Sequence, residues 1–212
     1  MKNMIKDTVV LFVITLIAGL LLGLVYEVTK EPIAAQEIKK RNEACQEVFA
    51  DATTFQPIDV VIQEKPEEEP APEEADAASG ATAVASGSGD VDAVYEAMTD
   101  SGELVGYVLE VTSHDGYAGD IQFAMGIRLD GTVNGISILS ISETPGLGMQ
   151  AEEVLKPQFA NKKVSMFEYT KTGAVMDNQI DAISGATITT HAVVDGVNTG
   201  LGYFQTVLGG GK

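Results

Sequence analysis

Residues 121–142 read IQFAMGIRLDGTVNGISILSIS. Two runs rich in β-branched and apolar residues flank the pair Asp130-Gly131, which is a strong turn signal between strands. The runs IQFAMGIRL and TVNGISILSIS are therefore read as neighbouring antiparallel strands. Upstream, residues 102–113, GELVGYVLEVTS, have the alternation and β-branched content of a third strand. Residues 91–98, VDAVYEAM, suggest a short helix, and residues 150–159 look helical as well. Residues 188–208 carry Val193, Val197, Leu201, Phe204 and Leu208 at the spacing of one helix face. The expected class is α+β, an antiparallel sheet with helices packed on it, over residues 91–212. No internal repeat is visible.

Residues 8–26, TVVLFVITLIAGLLLGLVY, contain no charge, and at about 1.5 Å per residue they reach across roughly 30 Å of hydrocarbon. Tyr26 sits at one end, where an interfacial aromatic is favoured. The following LVYEVTKEP is a poor cleavage site, so residues 1–30 are read as an uncleaved transmembrane anchor rather than a signal peptide. Gly19 and Gly23 form a GxxxG spacing that would let another helix approach. Lys2 and Lys6 precede the span, and Lys30, Lys39, Lys40 and Arg41 follow it; a bare count favours the C-terminal side facing the cytoplasm, but the count weakens where a long domain follows, so charge leaves the orientation ambiguous.

Residues 31–63 read as a membrane-exit helix and connector, with Ile33, Ile38, Ala44 and Val48 as its main apolar points. Residues 64–90, EKPEEEPAPEEADAASGATAVASGSGD, almost lack large apolar residues and are expected to be a disordered acidic spacer.

The formal net charge of -18 disfavours nucleic acid, because phosphates are repelled and no basic stripe offsets that. The single cysteine, Cys45, forms no internal disulfide and no cluster by itself. His114 and His191 lie far apart in the chain, and no HExxH or Cys/His cluster exists, so a protein-only metal site is poorly supported. Redox chemistry on this chain would need an added cofactor.

Residues 181–190 read DAISGATITT. Small residues form a turn just before a helix, Ser184 and Thr187 offer hydroxyls, and Gly185 and Ala186 allow a bulky group to come close. The helix that follows would aim its N-terminal amides at whatever sits near Thr187, which favours a phosphate. The simpler reading is that Ser184, Thr187 or Thr189 is only an N-cap, with glycine in a tight turn. The ETPGLG stretch, residues 143–148, likewise reads by itself as a plain Pro-Gly turn.

DAISGATITT resembles the S-G-A-T flavinylation motif of the FMN-binding domain in Rnf and Nqr respiratory complexes. Asp181 and Ser184 match positions that the family keeps near the attachment point. Residues 114–121, HDGYAGDI, resemble its Gly-Tyr-x-Gly-x-Ile stretch through Gly116, Tyr117, Gly119 and Ile121. Residues 143–148 resemble its Glu-Thr-Pro-Gly-Leu-Gly loop, and LIAGLLLGLVYEVTKEPI resembles the N-terminus of Rnf G subunits.

The resemblance implies FMN joined covalently to Thr187 as a phosphoester. It also implies a cofactor site that includes Ser184, Gly185, Ala186, Glu143, Thr144, Gly146, Leu147 and Tyr117. The implied role is an electron relay, not a complete enzyme, in a complex that moves electrons between ferredoxin and NAD and couples this to Na+ or H+ transport. Other subunits of that complex and a separate flavin transferase are the implied partners. The implied location is the cell membrane, single-pass, with the domain outside the cytoplasm. The alternatives are the C subunit of a sodium-pumping quinone reductase and a tethered assembly or binding module without covalent flavin.

Overall fold

A computed structural model describes residues 2–58 and 89–209. The spacer expected over 64–90 lies outside them except for its last two residues. The chain divides into two compact units, Met1–Asn42 and Glu43–Lys212.

The first unit is helical, and its helix runs on into the second as α1 (Lys2–Val48), with Pro32 inside it. Large apolar side chains from Val9 to Val28 are all exposed, Leu22 by 76%. A stretch that is apolar all round with none of its surface buried by protein suits hydrocarbon rather than water. Among the described residues, α1 is the one helix long and apolar enough to cross a membrane.

The second unit holds a five-stranded antiparallel sheet in simple sequential order: β1 (Thr54–Ile58), β2 (Gly89–Met98), β3 (Leu104–Ser113), β4 (Ile121–Arg128) and β5 (Val133–Ser140). The hairpin expected at Asp130-Gly131 is present, with Ile127 opposite Val133 and Gly126 opposite Gly135. A short helix α2 (Ala151–Val154) and a small parallel pair, β6 (Glu168–Thr170) with β7 (Gln179–Asp181), precede the long helix α3 (Thr187–Thr206).

Two faces of the sheet are covered by different elements. On one, Val193, Val197, Leu201 and Phe204 of α3 join Leu109, Val111, Phe123, Met125 and Ile127 in the main core. On the other, Ala44, Cys45, Val48 and Phe49 close over Ala97, Val108 and Ala124. Gly126 makes this approach possible: a Cβ there would lie 2.9 Å from the Val48 Cβ and 3.1 Å from the Phe49 ring. The seam is pinned by the Asn134 amide, which donates to the Val48 carbonyl at 2.9 Å, and by Arg128, which reaches Asp51 at 3.1 Å.

Three sequence expectations change. Residues 91–98 are strand, not helix. Val94 faces the α3 side and Ala97 the opposite side, because a spacing of three on a strand points to opposite faces. Both faces being covered, the pattern imitates a helix. The helix expected at 150–159 shortens to α2 flanked by tight 3-10 turns, because Pro157 has no N–H to continue the ladder. The folded unit also begins at Glu43 rather than at residue 91, since the end of α1 and β1 pack into it.

Candidate functional site

Three sequence-distant segments meet at one buried carboxylate. After β5 the chain turns through residues 144–147, closed by the Leu147 N–H donating to the Thr144 carbonyl at 3.1 Å. Pro145 and Gly146 occupy its centre, and Gly146 has φ +74, a conformation that favours glycine. Glu143, just before the turn, is only 6% exposed. Its Oε2 accepts the Thr189 hydroxyl at 2.9 Å and its Oε1 accepts the Ala118 N–H at 3.2 Å. One side chain thus ties the loop 114–120, the loop 143–148 and the first turn of α3. Gly148 leaves room for it: a Cβ there would lie 2.6 Å from Thr189 Oγ1 and 2.7 Å from Glu143 Oε2.

The segment 181–190 is equally constrained. The Asp181 carboxylate accepts the Ala174 N–H at 2.6 Å, and its own N–H donates to Gln158 Oε1 at 2.7 Å. The turn 183–186 closes through the Ala186 N–H to the Ile183 carbonyl at 3.0 Å, with Gly185 at φ +79. The buried Thr190 hydroxyl donates to the Ala186 carbonyl at 2.9 Å and accepts the Ile183 N–H at 3.1 Å. Thr190 is therefore committed to holding this turn, and Thr189 to Glu143.

Thr187 is not. It is the first residue of α3 and half-buried, and the cap position belongs to Ala186 with no side-chain cap bond. Among the described residues its hydroxyl has no hydrogen-bond partner. The N-cap reading of Ser184, Thr187 or Thr189 is thereby set aside.

The two loops touch at Leu147 and Gly185: a Cβ on Gly185 would meet Leu147 Cδ2 at 3.2 Å. Ser184 and Gly185 are exposed, Thr144 and Thr187 half-buried, and Ala186 buried. Exposed apolar side chains stand on the same three segments: Tyr117 at 68%, Leu147 at 40% and Ile188 at 52%. The loop that carries Tyr117 is gripped at its base by His114, whose Nδ1 lies 3.0 Å from Asp120 and whose Nε2 lies 3.1 Å from Asp90. Hydrogen bonds first to Asp120 and then to Asp90 raise the His114 pKa above its ordinary value, outweighing burial.

The sequence marks Glu143 as part of a cofactor site, but its role as a tie between segments is not visible there. Thr189, Thr190 and the Ala118 amide do not stand out in the sequence as site residues. For Thr189 and Thr190 the sequence offers a hydroxyl run and, for Thr189, a possible cap, neither of which points to Glu143 46 residues away.

These residues fit FMN. The free Thr187 hydroxyl stands where α3 presents its unpaired first-turn amides. Gly146 and Gly119 have open space where a Cβ would be, and apolar side chains lie exposed beside them.

Comparison with known proteins agrees. Residues 116–202 match the FMN-binding domain family, and residues 1–48 match the RnfG N-terminal region. The G subunit of the Na(+)-translocating ferredoxin:NAD(+) oxidoreductase complex of Acetobacterium woodii is 33% identical over 97% of this chain and 94% of its own. The G subunit of the ion-translocating oxidoreductase complex of Methanosarcina acetivorans is 31% identical over 95% of each chain. The crystal structure of Shewanella oneidensis NqrC is 25% identical, covers 54% of this chain and 58% of its own, and has a TM-score of 0.45. With two full-length relatives above 30% identity and both family regions present in order, the chain belongs to the family of G subunits of Rnf-type ion-translocating oxidoreductase complexes, FMN-binding proteins with one N-terminal membrane anchor.

Proposed function

We infer that this chain is the electron-relay component of an Rnf-type complex and carries FMN joined through its phosphate to the Thr187 hydroxyl. The observation that carries this reading is the contrast among the clustered hydroxyls. Thr189 and Thr190 are buried and hydrogen-bonded, whereas Thr187 is accessible and unengaged at the helix start. A hydroxyl that serves neither cap nor core is available for a phosphoester.

Bound FMN supplies reversible uptake of one or two electrons. The chain's residues attach and orient it. The first-turn amides of α3 face the phosphate position, and their partial positive charge favours an anion there. Leu147, beside Gly185, offers an apolar contact for a flat ring, and Tyr117 stands on the adjoining loop. Glu143 does not present its oxygens to solvent; it keeps the loops in register. Thr144, Gly146, Ser184 and Ala186 complete the expected surround.

Relatives named as ferredoxin:NAD(+) oxidoreductase subunits support electron flow between ferredoxin and NAD as the process served, coupled to Na+ or H+ movement. Other subunits of the complex are the direct redox partners, and a flavin transferase is the maturation partner. The domain lies on the extracytoplasmic side of the cell membrane, as the family resemblance implies. A reporter fused after Lys212 that is active only in the cytoplasm would overturn that orientation.

The covalent bond is tested by in-gel flavin fluorescence after denaturing electrophoresis, with intact-mass analysis. The chain expressed with its transferase fluoresces, and Thr187→Ala does not while keeping its fold. A fluorescent Thr187→Ala band refutes the assignment.

A further inference from the structure

One turn along α3 from Thr187 stands a second constellation. Thr187, His191 and Asp195 follow one another at intervals of four and so share one helix face. Asp115, from the loop after β3, meets them there. One ligand atom from each of Asp115, His191 and Asp195 lies within 4.8 Å of the others. His191 Nδ1 is 3.5 Å from Asp195 Oδ2. The His191 ring is held edge-on against Tyr169, with centroids 5.9 Å apart.

We propose that Asp115, His191 and Asp195 form a binding site for a divalent transition-metal ion of the Zn2+ or Co2+ class. One imidazole with two carboxylates suits these borderline ions, whereas Mg2+ and Ca2+ take oxygen ligands. Bonds of about 2.0–2.2 Å place the donors of one ion roughly 3–4 Å apart. The separations here require the side chains to close by about 1 Å, a movement open to the exposed Asp115 and His191. Charge points the same way. One imidazole carries at most one positive charge against two carboxylates. A phosphoryl group on Thr187 would add a third anion about 5–6 Å along the helix face. This charge argument rests on the covalent-FMN reading, while the donor geometry does not.

The test uses the full-length chain in detergent, flavin-free, as wild type and as Thr187→Ala. Co2+ titration is followed by visible ligand-field absorption, and Zn2+ titration by calorimetry. One saturable equivalent is expected in both proteins. His191→Ala and Asp115→Asn should each weaken it about tenfold or more, since even outer-shell changes at metal sites cost that much. Near-UV circular dichroism checks that the variants are folded, and Asp195→Asn replaces any that is not. Absence of saturable uptake, or uptake unchanged by His191→Ala, overturns the site and assigns the binding to scattered surface carboxylates. Retained metal binding in a Thr187→Ala protein that lacks flavin keeps the two readings separable.

Discussion

The carboxylate of Glu143 is the sharpest point at which to perturb this fold. In Glu143→Gln one oxygen remains an acceptor and the other becomes a donor. Its Oε1 can still accept the Ala118 N–H, but its amide N–H reaches Thr189 only if that hydroxyl turns round to accept, so both charge-assisted bonds at 2.9 Å and 3.2 Å become neutral ones and the buried Thr189 proton loses its acceptor. A hydrogen bond to a charged group contributes about 1.5–3 kcal/mol, and leaving its buried partner unmet costs a similar amount. We expect Glu143→Gln to lose about 2 kcal/mol. For a unit of this size, that corresponds to a fall in melting temperature of about 4–8 °C. The assay is urea unfolding of the detergent-solubilised chain, followed by tyrosine near-UV circular dichroism because the sequence has no Trp. A double-mutant cycle with Thr189→Val isolates the contact, with an expected coupling of at least about 1 kcal/mol. A Glu143→Gln protein within about 0.5 kcal/mol of wild type, or a coupling near zero, would refute the view that this side chain holds the three segments together.

Gly126→Val should destabilise the unit by about 1–3 kcal/mol through overpacking against Val48 and Phe49, measured by the same unfolding assay. His114, whose folded pKa is raised, should contribute stability that is fully present below its ordinary value near 6.5 and lost as pH rises through the folded pKa. The deficit of His114→Gln should therefore be larger at about pH 6 than at about pH 8, though small because the pair is exposed. An NMR titration that places the His114 pKa at or below its ordinary value would contradict this. Leu147→Ala should shift the absorption or midpoint potential of bound flavin while leaving flavin content near wild type. An unchanged spectrum and potential would place the 143–148 loop away from the ring.

What the sequence determined by itself was local. The Asp130-Gly131 turn between two apolar runs fixed a hairpin, the spacing from Val193 to Phe204 fixed α3, and the uncharged run 8–26 fixed an anchor. Each depends on neighbours a few residues apart, so period and turn chemistry suffice. The motif around Thr187 was legible because its residues are contiguous.

What only tertiary structure decided was how distant segments share space. Residues 91–98 became strand because the edge of β3 and cover on both faces favoured it, whatever helical spacing they showed. Thr187 was separated from Thr189 and Thr190 only when Glu143 and the 183–186 turn engaged the latter two. Asp115 and His191 are far apart along the chain, yet the loop between β3 and β4 and the helix α3 bring them together. Sequence spacing encodes periodicity along a segment, whereas a buried carboxylate or a shared ligand set exists only after the sheet and helix have closed around a common core.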